Sequence, residues 1–201
     1  MMVLVVTGGI GSGKSQVCKI LKNMGFRAQY DADSRAKALY EEHPTLLSDI
    51  EKSLGCTIRD EHGKFQSAKL AAVIFSDSKA LEIVESHLFP VLMEDFNSYA
   101  GNCGEEIVVF ESATVLEKKQ FEGFGDKVLL VDAPFNLRLD RACRRDGIDR
   151  DKVLSRMQNQ KLMNELSEGA EDSRIDCRIL NDSSLENLER NTKIAINSLI
   201  S

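Results

Sequence analysis

The sequence predicts an α/β protein with a mainly parallel five-stranded sheet covered by helices on both faces. Three observations lead there. Short apolar runs rich in β-branched residues recur at 3–6, 26–30, 106–110, 127–131 and 175–180. The clearest of these are continuous rather than alternating, as a strand buried on both faces reads. Helical stretches separate the runs, the alternation expected of a parallel sheet wound through helical crossovers. A glycine-rich segment joins the first run to the first helix.

Each element has its own signal. Residues 8–13 form a turn, and 14–24 form a helix that Gly25 ends. The weak second strand leads to Asp31 and Asp33, after which 34–42 is helical and Pro44 marks a break or a helix start. Leu46, Leu47, Ile50 and Leu54 have helical spacing and stop at Gly55, and 60–63 is a turn. From 67 to about 99 the chain reads as helix, with a boundary near Asp77 and a break or kink at Pro90. Strands three and four end at Glu111 and Asp132. Pro134 opens a helix to about Arg145, 149–166 reads as a second charged helix, and 185–199 closes the chain as an amphipathic one. The segment between strands two and three is almost wholly helical. It predicts a helical insertion at 36–102 in a core made of 1–35 and 103–201.

Composition narrows the function. The 201 residues are 42% hydrophobic, enough for a core without crosslinks, and carry a net charge of −6. An acidic chain argues against indiscriminate polyanion binding, so no nucleic-acid partner is expected. The cysteines, Cys18, Cys56, Cys103, Cys143 and Cys177, are odd in number and never two residues apart. Free thiols in a reducing compartment fit better than disulfides or zinc. The start lacks the basic-then-apolar pattern of a signal peptide, and no apolar run reaches the ~18 residues of a membrane span. The expectation is a cytoplasmic protein with a small-molecule substrate, no membrane association and no obligate protein partner.

Gly8-Gly9-Ile10-Gly11-Ser12-Gly13-Lys14-Ser15 matches GxxxxGK[ST] after a strand and before a helix. Glycines let backbone N–H groups turn inward around an anion, and the helix dipole favours negative charge at the same place. Lys14 is expected at the β- and γ-phosphates and Ser15 at Mg²⁺. This loop implies a P-loop NTPase-type three-layer fold. A dinucleotide loop fits less well, because GxGxxG would need its third glycine one place later.

Ligands of open α/β sheets bind beyond the carboxyl ends of the strands, which draws attention to the acids there. Asp31 and Asp33 follow strand two. A carboxylate there could deprotonate an acceptor hydroxyl, hold Mg²⁺ through water, or cap the next helix. Glu111 and Asp132 both fit an apolar run followed by an acid that supports Mg²⁺, with Glu111 favoured. Arg138, Arg141, Arg144, Arg145, Arg150, Lys152 and Arg156 crowd the segment around Gly147. Most are expected on a solvated face among Asp140, Asp146, Asp149 and Asp151. The break at 146–149 suggests a lid around 141–156, from which an arginine could bridge transferring phosphoryl oxygens.

These residues together resemble the dephospho-coenzyme A kinase family along most of the chain. Thr7–Ser15 is similar to its phosphate loop, Asp31-Ala32-Asp33 with Arg35 to its second motif, and His87-Leu88-Phe89-Pro90 to an element of its CoA domain. Glu111-Ser112-Ala113-Thr114-Val115-Leu116-Glu117 falls where the family has an acid followed by Pro-Leu-Leu-Phe-Glu. Arg141, Arg145-Asp146, Arg150, Arg156 and Gln160 resemble the lid signature, and Ile179-Leu180-Asn181 a late strand near adenine. The resemblance implies ATP-dependent phosphorylation of the ribose 3′-hydroxyl of dephospho-CoA, the last step of coenzyme A biosynthesis, with Mg²⁺. It implies Asp33 as base with Lys14 and Arg141 in catalysis. Gly9, Ile10, Gly11, Ser12, Gly13, Lys14, Ser15, Gln16, Arg141 and Asn181 would hold ATP, and Asp33, Arg35, His87 and Glu117 the acceptor in the helical segment. Gln16 stands where the family commonly has threonine, and Ala113, Thr114 and Val115 depart from the central motif. Another small-molecule or nucleotide kinase shares the loop and lid. A GTP-binding switch would need a late Asn-Lys-x-Asp signature that the chain lacks.

Overall fold

The computed structural model describes residues 1–200, the side chains of Phe75, Ser76 and Ser78 excepted. Its elements run β1 (Met2–Thr7), α1 (Lys14–Asn23), β2 (Gln29–Asp31), α2 (Ala32–Glu42), α3 (Leu46–Leu54), α4 (Ser67–Ser76), α5 (Ser78–Asn102), β3 (Ile107–Glu111), β4 (Lys127–Asp132), α6 (Phe135–Asp146), α7 (Arg150–Gln158), α8 (Lys161–Ser167), β5 (Cys177–Leu180) and α9 (Leu185–Ile200). The five strands form one sheet in the order β2-β3-β1-β4-β5, and every pairing is parallel.

Two compact units divide the chain, one of Met1–Asp31 with Gly104–Ser201 and one of Ala32–Cys103. The division falls a few residues from the 35/36 and 102/103 read from sequence. Helix α2 starts directly on β2 without a loop, and α5 runs to Asn102.

The sheet unit buries both faces of its central strands, as their unbroken apolar runs require. Leu4, Val6, Val109, Leu129, Val131 and Ile179 pack against Val17 and Leu21 of α1 and Leu188, Ile196 and Leu199 of α9. Phe110 points the other way. It is fully buried, stacks on Tyr30 at 5.5 Å between ring centroids, and meets Phe121 and Phe124 edge-on at 5.7 and 4.6 Å. Such aromatic pairs contribute about 0.5–1.5 kcal/mol each beyond the area they bury.

The register brings several carboxyl ends level. Glu111 is the partner of Val6 on β1 and of Asp31 on β2, and Asp132 on β4 is the partner of Leu180 on β5. Because β1 is central, the loop that leaves it lies between the ends of β3 and β4, where the sheet order reverses.

The helical unit packs α5 against α2, α3 and α4. Gly55, at φ 67°, caps α3 in the left-handed region, as the sequence suggested. Pro90 does not break α5, which continues through it with Val84, Leu92, Phe96 and Ala100 buried and Pro90 exposed. Burial along this helix outweighs the missing proline hydrogen bond. The expected helix at 149–166 is two helices, α7 and α8, separated at Asn159-Gln160. The second strand begins at Gln29 instead of residue 26, because Phe26 is occupied in closing α1, its N–H bonded to the Leu21 carbonyl. No helix among the described residues is long and apolar enough to cross a membrane.

Candidate active site

The turn at Gly8–Gly13 has the shape its glycines permit. Gly11 and Gly13 sit at φ 76° and 105°, conformations that side chains rarely adopt. Space enforces the same choice. A Cβ on Gly11 would overlap the Arg138 carbonyl oxygen, and one on Gly13 would overlap Nδ2 of Asn181. Helix α1 begins at Lys14 with no side-chain cap on its first N–H groups and no acid in its first turn. A helix start of this kind attracts an anion.

The loop is held from outside by residues far along the chain. The Ile10 N–H donates to Oε1 of Gln160 at 2.8 Å. Nδ2 of Asn181 donates to the Ser12 carbonyl at 2.8 Å, and the Asn181 N–H donates to the Asp132 carbonyl at 2.7 Å. The Lys14 ammonium donates to the carbonyls of Gly8 at 2.9 Å and Gly9 at 3.4 Å. Gln160 and Asn181 are buried, so these bonds form out of competition with water.

Ser15 and Glu111 meet beside the loop, the hydroxyl donating to Oε1 of Glu111 at 2.7 Å. Both side chains offer hard oxygen donors, which suit Mg²⁺. Among the described residues no group of three or more His, Cys, Asp or Glu could hold a metal. A kinase magnesium needs only one or two protein oxygens, because water and phosphate complete its shell. The second candidate acid, Asp132, is committed elsewhere. It is buried and accepts from Ser167 Oγ at 2.7 Å and the Ala133 N–H at 2.8 Å. Cys18, one turn beyond Lys14, is also buried; desolvation first and Glu111 second push its thiol far up, so it stays neutral.

Arg141 reaches the same corner. Nη1 donates to the Asn181 carbonyl at 3.0 Å and Nη2 to its Oδ1 at 3.3 Å. Burial pulls this guanidinium somewhat below its ordinary range, and Asp182 opposes the shift. The Asn181 side chain is thus shared between the Ser12 carbonyl and Arg141. Arg138 departs from expectation. It is not on a solvated face but fully buried, on the same helix face as Phe135, Leu139 and Ala142. Helical spacing within α6 was the available signal, since Arg138 falls in the apolar stripe. The outer basic residues do behave as a solvated face: Arg145 pairs with Asp146 at 2.6 Å and Arg150 with Asp140 at 2.6 Å.

Asp31 is exposed at the end of β2, and Asp33 is half-buried in the first turn of α2. Within the helical unit, Arg35 grips Asp95 through Nε at 3.0 Å and Nη2 at 2.8 Å, and also reaches Glu42 at 3.0 Å. The Asp95 and Glu42 carboxylates raise its pKa. Nε2 of His87 lies 2.9 Å from Ser53 Oγ. Glu117 belongs to the sheet unit, where its carboxyl is pushed up by burial while the Met163 N–H of α8 bonds to it and opposes the shift. The structure therefore brings together Gly9–Ser15, Glu111, Arg141 and Asn181, and ties Glu117 to α8. Gln160 entered the sequence reading only through the lid resemblance, and its grip on Ile10 spans 150 residues.

Comparison with known proteins points to one family. The dephospho-CoA kinase family model matches residues 2–187. The dephospho-CoA kinase of Porphyromonas gingivalis is 35% identical over 175 residues, 87% of this chain and 85% of the relative. That of Chlorobaculum tepidum is 33% identical, covering 99% of this chain and 95% of the relative. Among solved structures, a Thermus thermophilus protein superposes with a TM-score of 0.82 at 28% identity, covering 100% of this chain and 98% of that one. Shikimate kinase from Acinetobacter baumannii shares the fold at a TM-score of 0.56 and 16% identity, covering 99% and 93%. A kinase-type phosphate loop, a serine–carboxylate pair beside it and a family match along nearly the whole length lead to one assignment: the chain belongs to the dephospho-CoA kinase family.

Proposed function

We propose that the protein transfers the γ-phosphoryl group of ATP to the ribose 3′-hydroxyl of dephospho-CoA, giving coenzyme A and ADP. The observation that carries this reading is the completed loop, with Lys14 folded onto it and Ser15 paired to Glu111 at its edge. Phosphoryl transfer asks a protein mainly for positioning and for charge where the transferring oxygens sit.

Each residue then has a task. The N–H groups of Gly9–Ser15 that the loop leaves free, those of Ile10 and Ser12 being taken by Gln160 and the Gly9 carbonyl, cradle the triphosphate, with the Gln16 side-chain amide following. Lys14 exchanges two neutral carbonyl acceptors for anionic oxygens of the β- and γ-phosphates, a stronger charge-assisted bond. Ser15 and Glu111 would hold Mg²⁺, Glu111 directly or through water. When bound, that ion neutralises charge on the β- and γ-oxygens. Arg141 presents its guanidinium to the nucleotide while Asn181 keeps it oriented. Asp33 accepts the 3′-hydroxyl proton and orients that hydroxyl beforehand. Arg35 and His87 bind the acceptor nucleotide. For Arg35, the partner to exchange for an acceptor phosphate is Glu42, whose side chain is 57% exposed against 25% for Asp95.

The direct test is ADP formation from Mg-ATP. It should appear with dephospho-CoA and stay at background with nucleoside monophosphates or without an acceptor. Turnover of nucleoside monophosphates instead would make the protein a different kinase. Lys14→Ala should lose at least about 100-fold in turnover while remaining folded, since preorganised charge is worth several kcal/mol in the transition state; near-parent turnover would remove the loop from the chemistry. Asp33→Asn should bind Mg-ATP nearly as well as the parent while kcat for dephospho-CoA falls by roughly 100-fold or more. Because α2 begins at Ala32, Asp33 lies inside its first turn and is not its N-cap, and a carboxylate that merely supports the helix there predicts full activity for asparagine. Titration calorimetry and steady-state turnover on one preparation separate the two roles.

A further inference from the structure

Arg138 is the largest fully buried side chain among the described residues. Nη2 donates to Oδ1 of Asn164 at 2.7 Å, and Asn164 in turn donates to the Met157 carbonyl at 2.9 Å. The guanidinium lies over the Phe135 ring, 5.6 Å from its centroid. Nε and Nη1 have no hydrogen-bond partner among the described residues. Among those residues no carboxylate forms an ion pair with it. Asp132 contributes only a field, while its own Oδ1 is taken by Ser167 and Ala133.

The unpartnered end of this cation lies against the phosphate loop. A Cβ on Gly9 would overlap Nη1, and the Gln160 oxygen that holds Ile10 would be 3.5 Å from the same Cβ. A Cβ on Gly11 would overlap the backbone of Arg138 itself. Nη1 thus occupies the place of a Gly9 side chain, within the loop expected to bind anionic oxygens.

An unpaired buried charge works against folding, and an apolar side chain of similar length would fill the space at lower cost. The position makes physical sense if an anion completes it. In low-dielectric surroundings a charge acts strongly over several ångströms, and no solvent rearranges around it. We propose that Arg138 is a positioning residue that supplies a fixed counter-charge behind the phosphate loop, acting through Gly9 to strengthen binding of the nucleotide's phosphates. The inference rests on the loop binding a nucleotide, and it adds a residue outside the phosphate-loop motif. Burial pulls the Arg138 pKa down, in keeping with a cation that waits for its anion.

The test compares Arg138→Met and Arg138→Lys in the full chain, using thermal unfolding without ligand and calorimetric titration with Mg-ATP, ADP and AMP. Arg138→Met should unfold at the parent temperature or higher, yet bind Mg-ATP at least about 10-fold more weakly. The loss should shrink from ATP to ADP to AMP as phosphate charge decreases. Arg138→Lys, which keeps the charge, should stay within about threefold of the parent. Should Arg138→Met not fold, Arg138→Gln takes its place as the neutral variant. Parent-like Mg-ATP affinity in the neutral variant overturns the inference. So does an equal loss for all three nucleotides, or a loss that lysine does not rescue, because each describes a side chain that only fills space. A parent protein that fails to bind Mg-ATP overturns the nucleotide reading and this inference with it.

Discussion

A backbone loop that turns its N–H groups toward an anion must satisfy its remaining polar groups elsewhere, and this protein does so with side chains from the far end of the chain. The Ile10 N–H goes to Gln160 and the Ser12 carbonyl goes to Asn181. Without such partners, buried amides and carbonyls would cost about 1–3 kcal/mol each, and glycine-rich backbone has little intrinsic preference for any one shape. The rest of the architecture follows from meeting this demand. Strand β5 ends at Leu180 so that Asn181 stands beside Ser12, and the chain breaks between α7 and α8 so that Gln160 faces Ile10.

The same constraint sorts the basic residues of α6 and α7. Those on the inner face lie against the loop or its brace: Arg138 as a buried cation against Gly9, Arg141 as a half-buried one bonded to Asn181. Those on the outer face, Arg145 and Arg150, pair with neighbouring aspartates in solvent, where such pairs are worth little. Helix α6 thus turns buried and half-buried guanidinium groups inward, while its outer side and α7 present an ordinary charged surface. Ser15 and Glu111 add oxygen donors from a third direction, where β3 comes level with β1.

Much of this was legible in the sequence because it is local. Continuous apolar runs marked the strands, and glycine spacing marked the loop. Acids at strand ends marked Glu111 and Asp31. Where the reading slipped, a long-range contact had overridden a local pattern. The stretch at 149–166 has helical character throughout, and nothing in it announces that Gln160 leaves the helix for a loop 150 residues away. Pro90 looked like a break, yet burial along α5 carries the helix through it. Arg138 looked like one more member of a charged run. Its place in the stripe of Phe135, Leu139 and Ala142 was the counter-signal, and charge alone concealed it.

The central claim is that the loop's shape is imposed from outside by side chains such as Gln160. Gln160→Leu preserves size but removes the acceptor from the Ile10 N–H. The decisive measurement is its Mg-ATP dissociation constant by titration calorimetry, beside that of the parent. The account predicts weakening of at least about 10-fold, or ~1.4 kcal/mol, with the unfolding temperature of the free protein lowered by only a few degrees. Parent-like affinity in a folded variant would contradict it, because the loop would then hold its phosphate-binding form without its outer support.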